Sequence, residues 1–233
     1  MIQPILKIND LTKRYLDTTA LNQVNLEIMP GKIVGLLGPN GSGKTTMIKI
    51  INDLLHDYSG EVFILGHTPG VESKKLISFL PDRPHLPVWM KTRQCIDYFQ
   101  DFYIDFNAEK ARKMLEEMQI PWQRKVAQLS KGMQEKLMLT LIMSRRAKLY
   151  ILDEPIAGVD PASRDFILRT ILNNFDQESS ILLSTHLISD VEAILDRVIF
   201  LKNGSVILQE DTENIRTREN KSVDQLFREM FAC

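Results

Sequence analysis

The sequence predicts an α/β fold: a mostly parallel sheet flanked by helices, an antiparallel β flank and an inserted helical lobe. Short apolar strands alternate with helical spacing, which favours a parallel sheet with ligands at its strand C-termini. From about Lys91 to Arg146 the spacing is helical, with little strand signal. The start of the chain and a pattern near its end read as antiparallel β-runs.

Taken in order, ILKINDLTKRY and ALNQVNLEI are two β-runs around a turn, and Ile33 to Leu37 is a short apolar strand running into a glycine loop. A helix from about Gly43 to Leu54 follows, with Met47, Ile48, Ile50 and Ile51 available for burial. YSGEVFILG reads as a turn and strand, and LISFL as another strand. Pro81, Pro84 and Pro87 then exclude helix interior and predict an extended surface loop. In the lobe, Ile96, Phe99, Ala111, Met114, Leu115, Leu137 and Leu141 supply helical faces. LYILD is a buried strand, and the next helix takes Asp160 as N-cap with Pro161 at its first position. SILLST is a strand, a helix starts near Leu187, and Asn203-Gly204 turns a hairpin. Ser222-x-x-Gln225 predicts a capping box for a terminal helix with Leu226, Phe227, Met230 and Phe231 on one face. The expected organisation is one domain over 1–233. Its α/β core and flank span 1–90 and 147–212, the lobe 91–146, and a C-terminal helical extension 213–233.

The 233 residues are 44% hydrophobic and carry a formal net charge of -1, so nothing in bulk charge draws the chain to nucleic acid or anionic lipid. Cys95 and Cys233 are far apart without CxxC spacing, which argues against a disulfide framework or zinc site and fits a reducing cytosolic setting. MIQPILKIND has no apolar core of signal-peptide length. IVGLLG and LMLTLIM fall far short of the roughly 18 apolar residues of a spanning helix. Work at a membrane would need another polypeptide to cross it.

Three strings carry chemistry. In GPNGSGKTT (Gly38, Pro39, Asn40, Gly41, Ser42, Gly43, Lys44, Thr45, Thr46), backbone N–H groups surround a β-phosphate at a helix start. Lys44 neutralises β/γ oxygens, the Thr45 hydroxyl suits Mg²⁺, and Thr46 adds a phosphate hydrogen bond. In LYILDEP, a buried strand ends in two acids. Asp153 is placed to hold Mg²⁺ through water, and Glu154 to polarise an attacking water near the γ-phosphate of ATP. LSKGMQ taken alone reads better as a capped amphipathic helix, with Ser130 as N-cap. Ser130 and the N–H groups of Lys131 and Gly132 also make an anion-binding helix start.

With AGVD (Ala157 to Asp160) and STH ending at His186, these strings in this order resemble the ABC transporter ATP-binding subunits over nearly the whole chain. SKGM, IAGVDP and STHLISDVE resemble the ABC-2-type exporters of Gram-positive bacteria, which pair with separately encoded permeases. The resemblance implies a P-loop NTPase core of the ABC ATPase fold, using ATP and Mg²⁺. It also implies a second ATP-binding subunit, identical or related, packed head-to-tail. Each ATP then lies between one Walker A loop and the other subunit's Ser130, Lys131 and Gly132. His186 takes the place of the histidine that senses the γ-phosphate, Tyr15 that of an aromatic stacked on adenine, and Asp160 lies in the D-loop. Asp82, in LPDRP, stands where many relatives carry a glutamine near Mg²⁺, which brings a charge where an amide brought none. The loop from Arg83 to Trp89 either faces a permease or packs within the lobe. The implied location is the inner, cytoplasmic face of the cell membrane. A soluble ABC-type ATPase acting on ribosomes or DNA would bring two cassettes, coiled-coil insertions or a basic face, and this sequence has none of these. A P-loop kinase leaves LSKGMQ, AGVD and STH unexplained.

Overall fold

The computed structural model describes residues 3–83, 86–157 and 159–231; Pro84, His85, Gly158 and Cys233 of the sequence reading lie outside the described residues. In chain order its elements are β1 (Leu6–Tyr15), β2 (Thr18–Ile28), β3 (Ile33–Leu37), α1 (Lys44–Ile51), β4 (Ser59–Ile64), α2 (Val71–Leu76) and β5 (Ile77–Leu80). Helices α3 (Thr92–Phe102), α4 (Ala108–Glu117) and α5 (Lys131–Met143) follow. The remainder is β6 (Leu149–Asp153), α6 (Pro161–Asn173), β7 (Ser180–Thr185), α7 (Ile188–Val191), β8 (Arg197–Lys202), β9 (Ser205–Asp211), α8 (Thr212–Glu219) and α9 (Val223–Phe231).

The strands form an antiparallel sheet in the order β2-β1-β4 and a larger sheet in the order β5-β6-β7-β3-β8-β9. The larger sheet is parallel from β5 through β8, and only β9 runs antiparallel. Its central strands β6, β7 and β3 are buried along their whole length because both faces are covered. Val34 and Leu36 of β3, Leu149 and Ile151 of β6 and Ile199 and Leu201 of β8 face one core. Ile33, Leu37, Tyr150, Leu152, Val198 and Phe200 face the other, as period-two alternation requires.

Helix α1 lies between the two sheets, with Met47, Ile48, Ile50 and Ile51 fully buried in the first core. No side chain caps its start. Burying each of those side chains contributes about 1.5–3 kcal/mol, whereas a missing cap forgoes about 1 kcal/mol. Packing therefore wins, and the helix start stays open for other use.

Helices α3, α4 and α5 join the second core through Ile96, Phe99, Leu115, Leu137 and Leu141. Arg145, just past α5, is buried and ties this lobe to the sheet. It pairs with Asp105 at 3.1 Å, donates to the Lys75 carbonyl at 3.0 Å and sits 3.9 Å from the Tyr103 ring centroid.

The terminal capping box is present. Ser222 N–H donates to the Gln225 side chain at 2.9 Å, and Gln225 N–H donates to the Ser222 hydroxyl at 3.1 Å. Phe227 then packs edge-on against Phe200 of β8, which accounts for the apolar face of α9. The Asn203-Gly204 turn has positive φ at both residues, the geometry of a tight hairpin. Two expectations need adjustment. The helix expected near Leu187 is one turn, α7, followed by a 3-10 turn at Glu192–Ile194. There the Glu192 carbonyl accepts from Arg216 and its carboxylate from the Asp224 N–H, so the segment bends to meet α8 and α9. Helix α2 was not anticipated; its six residues are too few for a period, and it starts on Gly70, whose N–H donates to Ser73 Oγ at 2.9 Å.

Candidate active site

Three adjacent parallel strands, β6, β7 and β3, end on the same edge of the larger sheet, where ligands of such sheets bind. Register brings the chemistry together there: Asp153 pairs with Ser184, and Leu37, one residue before the glycine loop, pairs with Thr185. A cavity of about 350 Å³ opens at this edge. It is lined by Asn40 through Thr46 and by Ala20, Asp82, Asp153, Glu154, Ala157 and His186.

The glycine loop is braced from outside. Gly204 N–H donates to the Ser42 carbonyl at 2.9 Å, so the β8–β9 turn supports the loop. Gly43 sits at φ 111, where a Cβ would lie 2.5 Å from the Ala20 carbonyl oxygen; only glycine suits that place. The first-turn N–H groups of α1 have neither intrahelical partners nor a side-chain cap. Ser42 Oγ is buried without a hydrogen-bond partner. Orphan donors around a walled cavity at a helix N-terminus fit a phosphate. Lys44 meanwhile spends its ammonium on the loop itself, donating to the Gly38 carbonyl at 2.7 Å and the Pro39 carbonyl at 3.2 Å. Burial lowers its pKa, with Glu154 and Asp153 opposing.

Across the cavity, Asp153 accepts a short hydrogen bond from Ser184 Oγ. Burial raises its pKa, and the nearby charges of Glu154 and Asp82 add to that, against Ser184 and Lys44. A carboxylate disfavoured by burial and by two other acids is one that a divalent cation would relieve. Thr45, Asp82 and Asp153 all line the cavity and supply hard oxygen donors of the kind Mg²⁺ uses beside substrate phosphates.

Glu154 holds a left-handed backbone at φ 52, which costs a non-glycine residue about 1–3 kcal/mol. Its surroundings enforce that geometry. Its N–H donates to the Ser184 carbonyl at 3.0 Å, and Thr185 Oγ1 donates to its carboxylate at 3.1 Å. His186 Nδ1 lies 3.0 Å from both carboxylate oxygens. A carboxylate only accepts, so the proton between them sits on Nδ1. Ser184 and Thr185 are the functional residues the sequence reading passed over, and the β6–β7 register is the signal that exposes them.

Other expected residues lie elsewhere. Tyr15 is 43% exposed at the end of β1, outside the cavity lining, with Lys13 Nζ 5.1 Å from its ring centroid. Asp160 caps α6, accepting from Ser163 N–H at 3.1 Å, and the Ser163 side chain, with that N–H second, lowers its pKa. Ser130 caps α5 by accepting from Met133 N–H at 3.3 Å. Lys131 Nζ lies 3.6 Å from Glu135, and a Cβ on Gly132 would meet nothing within 4 Å. None of Ser130, Lys131 and Gly132 lines the cavity of its own chain.

Comparison with known proteins agrees with this geometry. Residues 21–157 match the family model described as ABC transporter. The chain is 34% identical over 212 residues to an uncharacterized ABC transporter ATP-binding protein, YdbJ, of Bacillus subtilis, spanning 88% of this chain and 69% of that one. It is 31% identical to the lantibiotic transport ATP-binding protein SrtF of Streptococcus pyogenes, spanning 94% and 97% of the two chains. A solved structure of an ATP-binding subunit of an ABC transporter superposes with a TM-score of 0.85 at 28% identity, covering 97% of this chain and 99% of that one.

Proposed function

The chain belongs to the ABC transporter family as an ATP-binding subunit, and from that premise we propose how its residues divide ATP hydrolysis between two subunits. Subunits of this family hydrolyse ATP to ADP and phosphate to power transport. In our reading, the glycine loop and the open start of α1 hold the β- and γ-phosphates, and Lys44 exchanges its loop carbonyls for phosphate oxygens. Glu154 orients the attacking water and accepts its proton. His186 engages the γ-phosphate, exchanging its contact with Glu154 for a phosphate oxygen. Mg²⁺ would be held by Thr45, Asp82 and Asp153 and supplies neutralising charge for the phosphate oxygens. Tyr15, exposed at a strand end, receives the adenine by stacking.

The observation that carries the two-subunit reading is the separation within one chain. The cavity collects Lys44, Asp153, Glu154 and His186, while the second anion-binding helix start, at Ser130 and Gly132, lies outside it. A second subunit, identical or related, brings its own Ser130, Lys131 and Gly132 onto the phosphates. Binding then favours the closed pair and hydrolysis releases it.

No helix among the described residues is long and apolar enough to cross a membrane. By the resemblance to subunits that pair with separately encoded permeases, the membrane-crossing part is assigned to a separate permease at whose inner face this subunit docks. Val88 and Trp89, exposed before α3, are the assigned contact. The 30% identity to a peptide export ATP-binding protein of Bacillus subtilis supports an exporter.

The test is Glu154→Gln. It should retain ATP binding, lose about 10²–10⁴-fold in turnover and accumulate an ATP-bound pair visible by light scattering. Normal turnover would remove Glu154 from its role. Wild-type turnover per molecule should rise with protein concentration, and a flat rate in a strictly monomeric sample overturns the shared site. Affinity capture from detergent-solubilised membranes should recover a permease; ribosomes or DNA in its place would overturn the transport assignment.

A further inference from the structure

Two segments leave the ends of neighbouring strands β6 and β7 and run side by side. The first passes from Glu154 through the turn at Ala157 and Val159 into α6, and the second from His186 into α7. At the cavity they touch through His186 Nδ1 and the Glu154 carboxylate at 3.0 Å. They touch again one layer back. Arg164, on the first turn of α6, donates from Nη1 to Asp190 Oδ2 of α7 at 2.6 Å. Its Nε donates to the Val159 carbonyl at 3.0 Å. A planar guanidinium makes both bonds in fixed in-plane directions, whereas the donors of an ammonium rotate freely.

We propose that Arg164 is a positioning residue for hydrolysis, bracing the turn after Glu154 against α7, the helix that follows His186. These contacts belong to a closed ring of bonds. Ala157 N–H donates to the Glu154 carbonyl at 3.1 Å, and Val159 belongs to the same turn. Arg164 spans from Val159 to Asp190. Asp190 N–H donates to the Leu187 carbonyl at 3.3 Å, and Leu187 N–H donates to Thr185 Oγ1, which itself bonds Glu154. The contact of His186 with Glu154 is made at the cavity wall, where a γ-phosphate competes for the ring. The Arg164–Asp190 contact lies away from the cavity lining, so it persists when the first rung changes. With side-chain exposures of 27% and 33%, the pair is shielded enough to hold its geometry yet is not part of the buried core. Loss of this brace lets the turn and α7 slide against each other, and displacements of about 1 Å at a reacting group cost up to about a hundredfold in rate.

This inference rests on the assignment of Glu154 and His186 to the chemical step. The experiment compares the intact protein carrying Arg164→Ala, Asp190→Ala, or both, with Glu154→Gln as reference. Each single substitution should lower kcat about tenfold, with KM for ATP, fluorescent-nucleotide affinity and melting temperature near wild type. The double variant should be no slower than the slower single, because one contact is lost only once. Wild-type kcat in both singles overturns the brace. So does a double variant whose loss is the product of the two, or a loss of kcat matched by lost affinity and stability. If Arg164→Ala does not fold, Asp190→Ala decides alone by the same kcat and KM readings. Full hydrolysis by Glu154→Gln would instead remove the premise, whatever the brace variants do.

Discussion

Two helix starts in this molecule, those of α1 and α5, are built from similar residues and left in opposite states. At α1, Gly43 provides no cap, the N–H groups are open, and a walled cavity with acids on its far side surrounds them. At α5, Ser130 occupies one of those donors itself, and open space surrounds Gly132. An uncapped start gives up about 1 kcal/mol, which burial of α1 between two sheets outweighs. The start of α5 is open to solvent, with no buried residue before Leu137, and it keeps its cap until something replaces it. The first is a finished phosphate cradle in a single chain. The second has the chemistry of a cradle and lacks the walls.

The sharpest way to break this contrast is to damage each start and measure binding apart from turnover. Lys44→Ala removes charge-assisted bonds worth about 1.5–3 kcal/mol each, so titration calorimetry should show ATP affinity falling by roughly tenfold or more. Ser130→Arg should leave that affinity intact and abolish most hydrolysis. Retained full activity would place the α5 start outside the site.

Glycine substitutions in the nucleotide-free protein come next. Gly43→Ala forces a side chain into a positive-φ position against the Ala20 carbonyl and should cost about 1–3 kcal/mol in denaturant unfolding. Gly132→Ala enters open space within a helix and should leave stability unchanged or raise it by up to about 1 kcal/mol. Equal losses would erase the difference drawn here. The smallest effect is expected from Ser130→Ala, about 1 kcal/mol or less in thermal unfolding, for the loss of the cap alone.

The cradle was legible in the sequence because its function is local. GPNGSGKTT must be contiguous to wrap a phosphate, and its strand and helix flank it directly. Asp160, Asn203-Gly204 and Ser222-x-x-Gln225 were legible for the same reason, since caps and turns are decided within four residues. What escaped the sequence joins distant positions. Ser184 reaches Asp153 only through strand register, and Arg145 reaches Asp105 and the Lys75 carbonyl across the lobe. Arg164 finds Asp190 because two strands end side by side. The left-handed backbone of Glu154 escaped as well, because nothing in LYILDEP marks an acid for a conformation that glycine or asparagine favours. Helix α8 fell within the helical extension expected over 213–233 but was not separated from α9, because Ile215 is its lone buried apolar residue.

Lys44 resting on the carbonyls of Gly38 and Pro39 has a consequence for the turnover cycle. A lysine left bare at a vacated anion site would resist product departure, because its charge would have to be resolvated in a half-closed crevice. Here two carbonyl oxygens of the same loop stand ready to recapture it. On the phosphate role proposed for Lys44, these carbonyls act as an intramolecular rival to the spent nucleotide and favour its release.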